Sequence, residues 1–146
     1  MENRDISVLM MKNMNYFHDF LKVINQDRYS KERILTERQF FALISMREFK
    51  KIELKNLSKK LYVSTSSLCI LLNKLVDQNY VYREEDSRDR RNTFYGITEY
   101  GEEVLKIEIN KLVEILSSRI EVLNEEDKQI MYDSLKNIEP IMAKLF

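Results

Sequence analysis

The chain has 146 residues, with 24 Lys+Arg against 24 Asp+Glu and a formal net charge of zero. One domain fits that length, with room for long helical extensions, and the balanced charge argues against a histone-like binder of polyanions. With only 2 Gly and 1 Pro, 33 % charged and 44 % hydrophobic residues, the composition excludes a disordered chain and predicts a mostly helical protein with a real core.

Over residues 5–26, apolar side chains recur at Ile6, Leu9, Met10, Phe17, Phe20, Leu21 and Ile24, a helical spacing with Asn13 as a polar gap. Asp27 to Lys31 reads as a polar break. Thr36, followed three residues later by Gln39, forms a capping box and predicts a helix running to about Phe49. Leu54, Leu57 and Leu61 share one face of a short helix, and Tyr62-Val63-Ser64 is a tight turn. Ser64 or Thr65 then caps a helix from Ser66 to about Asn79 that turns Leu68, Leu71, Leu72, Leu75 and Val76 inward. A short helix, a tight turn and a longer helix opened by hydroxyl residues make a helix-turn-helix. Two strand candidates follow, Val81–Glu85 and Thr93–Ile97. Between them, Asp86 to Arg91 packs three arginines and two aspartates into six positions. A hairpin tip so charged belongs in solvent, and its surplus guanidinium groups suit an anionic surface such as nucleic acid. Thr98 caps a long helix, Glu99 to about Leu123, with Val104, Ile107, Leu112, Ile115, Leu116, Ile120 and Leu123 inward. Asn124 caps the last helix, with Ile130, Met131, Leu135, Ile138, Met142 and Leu145 inward. Pro140 predicts a kink, or an end near Asn137.

Charge is unevenly placed. Residues 50–91 hold ten Lys+Arg against six Asp+Glu, whereas residues 92–146 hold six against eleven. The basic excess therefore sits on the helix-turn-helix and hairpin. The predicted fold is mainly α with a small β-hairpin wing: a winged helix-turn-helix with long N- and C-terminal dimerisation helices. Residues 1–146 are read as a single domain, with the winged module at about 34–100 and a helical dimerisation region at 1–30 and 101–146. The terminal helices are too long and apolar for a module of about 65 residues to satisfy, so a second copy is expected to cover them.

At these residues the chain resembles the MarR family of transcriptional regulators, over nearly its whole length. Leu35-Thr-Glu-Arg-Gln-Phe resembles the start of the family's second helix, and Leu57-Ser-Lys-Lys-Leu-Tyr-Val-Ser-Thr-Ser-Ser-Leu its helix-turn-helix core. Leu72-Asn-Lys-Leu-Val-Asp-Gln-Asn-Tyr-Val resembles the end of its recognition helix running into the wing. Asp86-Ser-Arg-Asp-Arg-Arg-Asn, followed after a strand by Ile97-Thr-Glu-Tyr-Gly, resembles its wing signature. The resemblance implies a homodimer, a palindromic duplex DNA site, repression as the expected sign of regulation, and in many members release by a small ligand. Two positions depart from it: Tyr62 stands where members usually have Gly, and Thr65, Ser66 and Ser67 where many have Arg.

Thr65, Ser66 and Ser67 open the helix expected to enter the major groove, and Lys74 follows two turns on. Arg88, Arg90 and Arg91 are the candidate wing contacts, with one of Arg90 and Arg91 entering the minor groove. Asp86 and Asp89 are expected to orient them through short Asp–Arg pairs. Lys55, Lys59 and Lys60 are candidate phosphate contacts. Met14, Phe17 and His18, together with Met10, Met11 and Tyr16 and backed by Phe40 and Phe41, outline a pocket for a small aromatic or acidic effector. Cys69, the only cysteine, excludes an internal disulfide and a cysteine-based zinc site, and reads as a small core residue. One His, no Gly-rich phosphate loop and no metal-spaced ligands argue against an enzyme, and no cofactor is expected. No apolar run of about 18 residues occurs and none of signal-peptide type opens the chain, so a cytoplasmic protein without membrane contact is expected. The alternative function is a winged helix used only for protein–protein contact.

Overall fold

In the computed structural model, which describes residues 2–29 and 33–145, the elements follow as α1 (Asn3–Tyr29), α2 (Glu37–Met46), β1 (Ile52–Glu53), α3 (Leu54–Leu61), α4 (Thr65–Asp77), β2 (Val81–Glu85), β3 (Thr93–Ile97), α5 (Glu99–Ile120) and α6 (Glu125–Met142). The strands form one antiparallel sheet in the order β1-β3-β2. Ile52 and Glu53 pair with Tyr95 and Phe94, and Val81, Arg83 and Glu85 pair with Ile97, Tyr95 and Thr93. The fold is the expected mainly helical winged helix-turn-helix, with β1 as an addition. The chain divides into two compact units, Arg28–Lys111 and Met1–Asp27 with Leu112–Phe146.

Within the first unit, the helix starts are set by their caps. Thr36 Oγ1 accepts from the Gln39 amide at 3.3 Å, and Gln39 Oε1 accepts from the Thr36 amide at 3.0 Å, closing the capping box. Helix α2 stops at Met46, short of Phe49, where the Arg47 amide is shared between the carbonyls of Leu43 and Ile44. The core gathers Leu35, Phe40, Leu43 and Met46 with Leu57, Leu68, Leu72, Leu75, Tyr95 and Leu105, all buried. Gln39, also buried, donates from Nε2 to Gln78 Oε1 at 2.7 Å and so ties α2 to the end of α4. Asn79 takes a left-handed φ of 61° just past α4. The Asn79 amide donates to Val76 O and the Tyr80 amide to Leu75 O, the paired bonds of a Schellman ending. Thr98 then locks the return of the hairpin: its amide donates to Tyr80 O at 3.0 Å and its hydroxyl to Asn79 O at 2.6 Å. The same hydroxyl accepts from the Gly101 amide at 2.9 Å, the expected cap of α5. A Cβ at Gly101 would lie 2.0 Å from Tyr80 O, so only glycine permits this approach.

A charge is buried in this unit. Glu108, 2 % exposed, faces Arg28, 6 % exposed, across 3.6 Å, and Lys111 Nζ at 3.1 Å. The Arg28 guanidinium also stacks 4.7 Å over the Phe40 ring. Burial pulls the Arg28 proton affinity down, the charge of Arg33 adds to that, and the Glu108 carboxylate opposes both.

The second unit holds most of α1, the end of α5 and all of α6. Arg119 Nε donates to Asp27 Oδ2 at 3.0 Å, and Ile24 and Ile115 are buried. Asn124 Oδ1 accepts from the Asp127 amide at 2.8 Å and opens α6.

Several expectations are corrected. The polar break at Asp27 to Lys31 is not a break over Asp27–Tyr29, which continue α1; Ser30 and Lys31 lie outside the described residues. Helix α6 runs through Pro140 to Met142, because a proline near a helix end removes one donor while Ala143 still bonds Glu139 O at 3.1 Å. Helix α5 ends at Ile120, before Leu123. On α5 the buried positions are Gly101, Val104, Leu105, Glu108 and Ile115, whereas Ile107, expected inward, is 46 % exposed. On α6 no residue is buried in the single chain.

Removing Glu108 should leave Arg28 buried without its carboxylate. Glu108→Ala is expected to lower unfolding free energy by about 3–5 kcal/mol, and Arg28→Met with Glu108→Leu to recover most of it. Urea melts of the two variants check this, and a loss of under about 1 kcal/mol in Glu108→Ala would show that the pair is not structurally coupled.

Candidate nucleic-acid interface

The turn between α3 and α4 is built for an abrupt change of direction. Tyr62 adopts φ 53° and ψ 40°, the left-handed region. Its amide donates to Lys59 O at 3.2 Å and the Val63 amide to Ser58 O at 3.2 Å, a Schellman ending on a non-glycine residue. Ser58 Oγ adds a bond to Val63 O at 2.8 Å. The left-handed backbone costs about 1–2 kcal/mol relative to glycine. The Tyr62 ring remains 88 % exposed, so no packing of that ring offsets it.

Ser64, rather than Thr65, caps α4. Its Oγ accepts from the Ser67 amide at 3.2 Å and donates to Ser67 Oγ at 3.0 Å. The Ser67 hydroxyl is thus engaged locally. The hydroxyls of Thr65 and Ser66 have no partner among the described residues, and both are exposed. Leu68, Leu72 and Leu75 point into the core. That burial turns Ser66, Ile70, Asn73 and Asp77 outward in one line, with spacings of i, i+4, i+7 and i+11. Lys74 is exposed beside this line without an ion pair among the described residues. Ile70 and Asn73 are absent from the contacts expected from sequence, although their place opposite the leucines is readable from the helical period.

On α3, Lys55 and Lys59 are exposed and without ion pairs among the described residues. Lys60 is held: its Nζ lies 3.1 Å from Glu48 Oε2 and 5.3 Å over the Phe49 ring.

The wing tip differs from the expected picture of Asp–Arg pairs. Asp86 Oδ1 accepts from the Arg88 amide at 2.9 Å, and Asp89 Oδ1 from the Arg91 amide at 3.0 Å. Each carboxylate meets the amide two residues on before any guanidinium can reach it, the geometry of an Asx turn. The Asp86 amide donates to Asn92 O at 3.0 Å and the Asn92 amide to Asp89 O at 2.9 Å, closing the loop. The aspartates therefore shape backbone, and among the described residues no carboxylate pairs with Arg88, Arg90 or Arg91, all of them exposed. The stem is braced by Lys51, whose Nζ lies 2.8 Å from Glu84 Oε1. Below it, Tyr82 Oη donates to Lys50 O at 3.2 Å, and its ring covers Gly96, where a Cβ would fall 2.3 Å away. Tyr95 is buried in the sheet, and that burial pushes its phenol up from the ordinary value.

A groove of about 800 Å³ runs between α2 and α4, lined by Arg38, Phe41, Ala42, Leu68 and Leu71 among others. Its lining takes in Phe41 but none of Met14, Phe17 or His18, which lie exposed on α1. Cys69 is half-buried on α4.

Residues 35–93 match the model of the MarR family. Those residues are a MarR-family domain, and the chain is similar to regulators of that family. It is similar to the HTH-type transcriptional regulator SarZ of Staphylococcus aureus, 26 % identical over 118 residues that cover 81 % of this chain and 76 % of that one. A MarR family protein from Bacillus stearothermophilus shares the fold with a TM-score of 0.77 at 21 % identity, covering 98 % of this chain and 99 % of that one. Streptococcus pneumoniae FabT, solved in complex with DNA, superposes with a TM-score of 0.67 at 17 % identity, covering 96 % and 99 %. MarR-family regulators are transcription factors without enzymatic activity. No helix among the described residues is long and apolar enough to cross a membrane.

The wing loop gives a direct test. Asp89→Ala should speed amide exchange at Arg91 about fivefold, the worth of one net hydrogen bond, while Asp89→Asn, whose side-chain carbonyl still accepts, should not. Equal exchange in the two variants would show that the carboxylate does not hold this turn.

Proposed function

We propose that this regulator binds duplex DNA as a homodimer on a palindromic operator, acts as a repressor, and is released by a small aromatic or acidic ligand. The observation that supports the reading best is the set of exposed side chains without ion-pair partners on α3, α4 and the hairpin tip: Lys55, Lys59, Lys74, Arg88, Arg90 and Arg91, with the free hydroxyls of Thr65 and Ser66. In an otherwise neutral chain, cations left unpaired in one unit suit a polyanion.

In this reading the N-terminus of α4 enters the major groove. Thr65, Ser66 and Ser67 reach base edges or phosphate there, with Lys74 on the backbone. The wing lies over the adjacent minor groove, where an arginine meets the strongest negative potential. Asp86 and Asp89 preshape the loop so that less order has to be imposed on binding. Lys55 and Lys59 take phosphates, and Lys60 does so only by leaving Glu48.

The homodimer is supported by apolar side chains that one chain leaves in water. On α6, Ile130 is 58 % exposed and Ile141 57 %, and on α1, Leu9 is 59 % and Phe17 53 %. Faces of this kind mark interfaces, and two-fold pairing is the commonest closure. A two-fold dimer calls for a palindromic site with half-sites about one turn apart, ~34 Å. Occupancy of such a site across a promoter would exclude the polymerase, which makes repression the expected sign. Methionine and aromatic side chains exposed at Met14 and Phe17, with His18 nearby on α1, offer an adaptable surface for the effector.

Two measurements test the reading. Sedimentation should give a species of twice 17.6 kDa. Replacing Arg90 and Arg91 together by Ala should weaken operator binding about tenfold and lower the log–log salt slope by about 0.9 for each phosphate no longer neutralised. Unchanged affinity would refute the wing assignment. A flat salt response of the unaltered protein would favour the alternative, a winged helix that binds only other proteins.

A further inference from the structure

The outward line of α4 holds a side chain that neither core nor charge explains. Ile70 is 63 % exposed, while Leu68, Leu72 and Leu75 of the same helix are buried. It sits between Ser66 and Asn73, with Asp77 closing the line. A carboxylate facing phosphates is repelled, so Asp77 bounds the part of the helix that can lie against DNA. The two turns from Ser66 to Asn73 remain, and Ile70 is in their middle.

Its neighbours offer no other role of comparable worth. Ile70 also borders the groove between α2 and α4, but a side chain that keeps nearly two thirds of its surface in water gains little there. An isoleucine can neither donate nor accept a hydrogen bond. Of the groups that base pairs display in the major groove, only the C5 methyl of thymine gives it a favourable contact. The polar edges of the other bases would be desolvated against it without compensation. Asn73, one turn on, has the amide that pairs with adenine N6 and N7.

We propose that Ile70 is a specificity-determining residue that packs on a thymine methyl in each half-site, and so selects A·T pairs at the position facing the middle of α4. The proposal rests on the reading of α4 as the recognition helix. Departing from a polar or cationic contact, it makes this position sensitive to one methyl group rather than to a hydrogen-bond pattern.

The test uses the full-length protein and a duplex obtained by selection from a random pool. Each symmetric pair of thymines is replaced in turn by deoxyuridine, which removes the methyl and nothing else. At one pair, binding by the unaltered protein should weaken about fourfold per half-site, the worth of one buried methyl. Ile70→Ser should bind the thymine and uracil duplexes equally at that pair, while keeping the unaltered protein's salt slope on random duplex. Because Ile70 is exposed, the variant should also keep its melting temperature. If no thymine is sensitive to loss of its methyl, or if Ile70→Ser still discriminates, the proposal is overturned although DNA binding stands. If the unaltered protein binds no duplex in dilute buffer, the recognition-helix reading itself fails, and this proposal with it.

Discussion

The turn that joins α3 to α4 is the constraint on which the candidate interface depends. Three residues must redirect the chain, and they do so with Tyr62 in a left-handed conformation that glycine would adopt more cheaply. What holds it is a closed set of bonds: the Tyr62 and Val63 amides return to α3 carbonyls, Ser58 reaches Val63 O, and Ser64 caps the next helix. With both helix ends satisfied, the rotation of α4 is set by burial of Leu68, Leu72 and Leu75. The chemical identity of the outward line is then a by-product of the inward one. Any change that turned α4 by one residue, about 100°, would carry polar positions toward the core and a leucine toward solvent, which is why the inward leucines govern the outward line as firmly as the residues on it.

The wing follows a similar logic by another route. Six consecutive residues with three arginines and two aspartates could neutralise one another, and a loop of mutual ion pairs would present little net charge. Instead the carboxylates are engaged by backbone amides. This stiffens the loop and leaves the guanidinium groups exposed for an external anion. The negative charges are not removed, so they still lower the local potential. Their placement at the turn, rather than on the arginines, separates the ordering role of Asp from the binding role proposed for Arg.

The regular parts of this arrangement are legible in the chain because each has a local cause. The capping box of Thr36 and Gln39, the two wing strands, and the Thr98 and Asn124 caps depend on residues within a few positions of one another. Strand β1 is not legible, because Ile52 and Glu53 are too few to show alternation and become a strand only by meeting Tyr95 and Phe94. The wing aspartates suggest side-chain pairing when only the sequence is read, since composition displays charges but not the amide two residues away. On α5 the helical period is plain but the burial of Glu108 is invisible, because a carboxylate counts as outward until Arg28 and Lys111 are found beside it. Ile70 escapes notice for the opposite reason: isoleucine counts as inward until the helix is seen to be packed on its other side.

Zero net charge bears on how such a regulator can discriminate. Non-specific affinity for DNA comes almost wholly from cations against phosphates, and a neutral protein has fewer of these to offer along a random duplex. Its acidic groups are concentrated at residues 92–146 and its basic excess at residues 50–91, so the cations available to a polyanion lie mostly on α3, α4 and the wing. In the proposed reading this lowers competition from random sequence without adding a single specific contact. The base-edge contacts then decide the site, and those on offer are small: hydroxyls, one carboxamide and one aliphatic side chain. Each is worth little alone. In the proposed dimer a two-fold pair of such helices would double every one of them, so contacts weak at the level of one chain would become a selective grip only when two copies engage together.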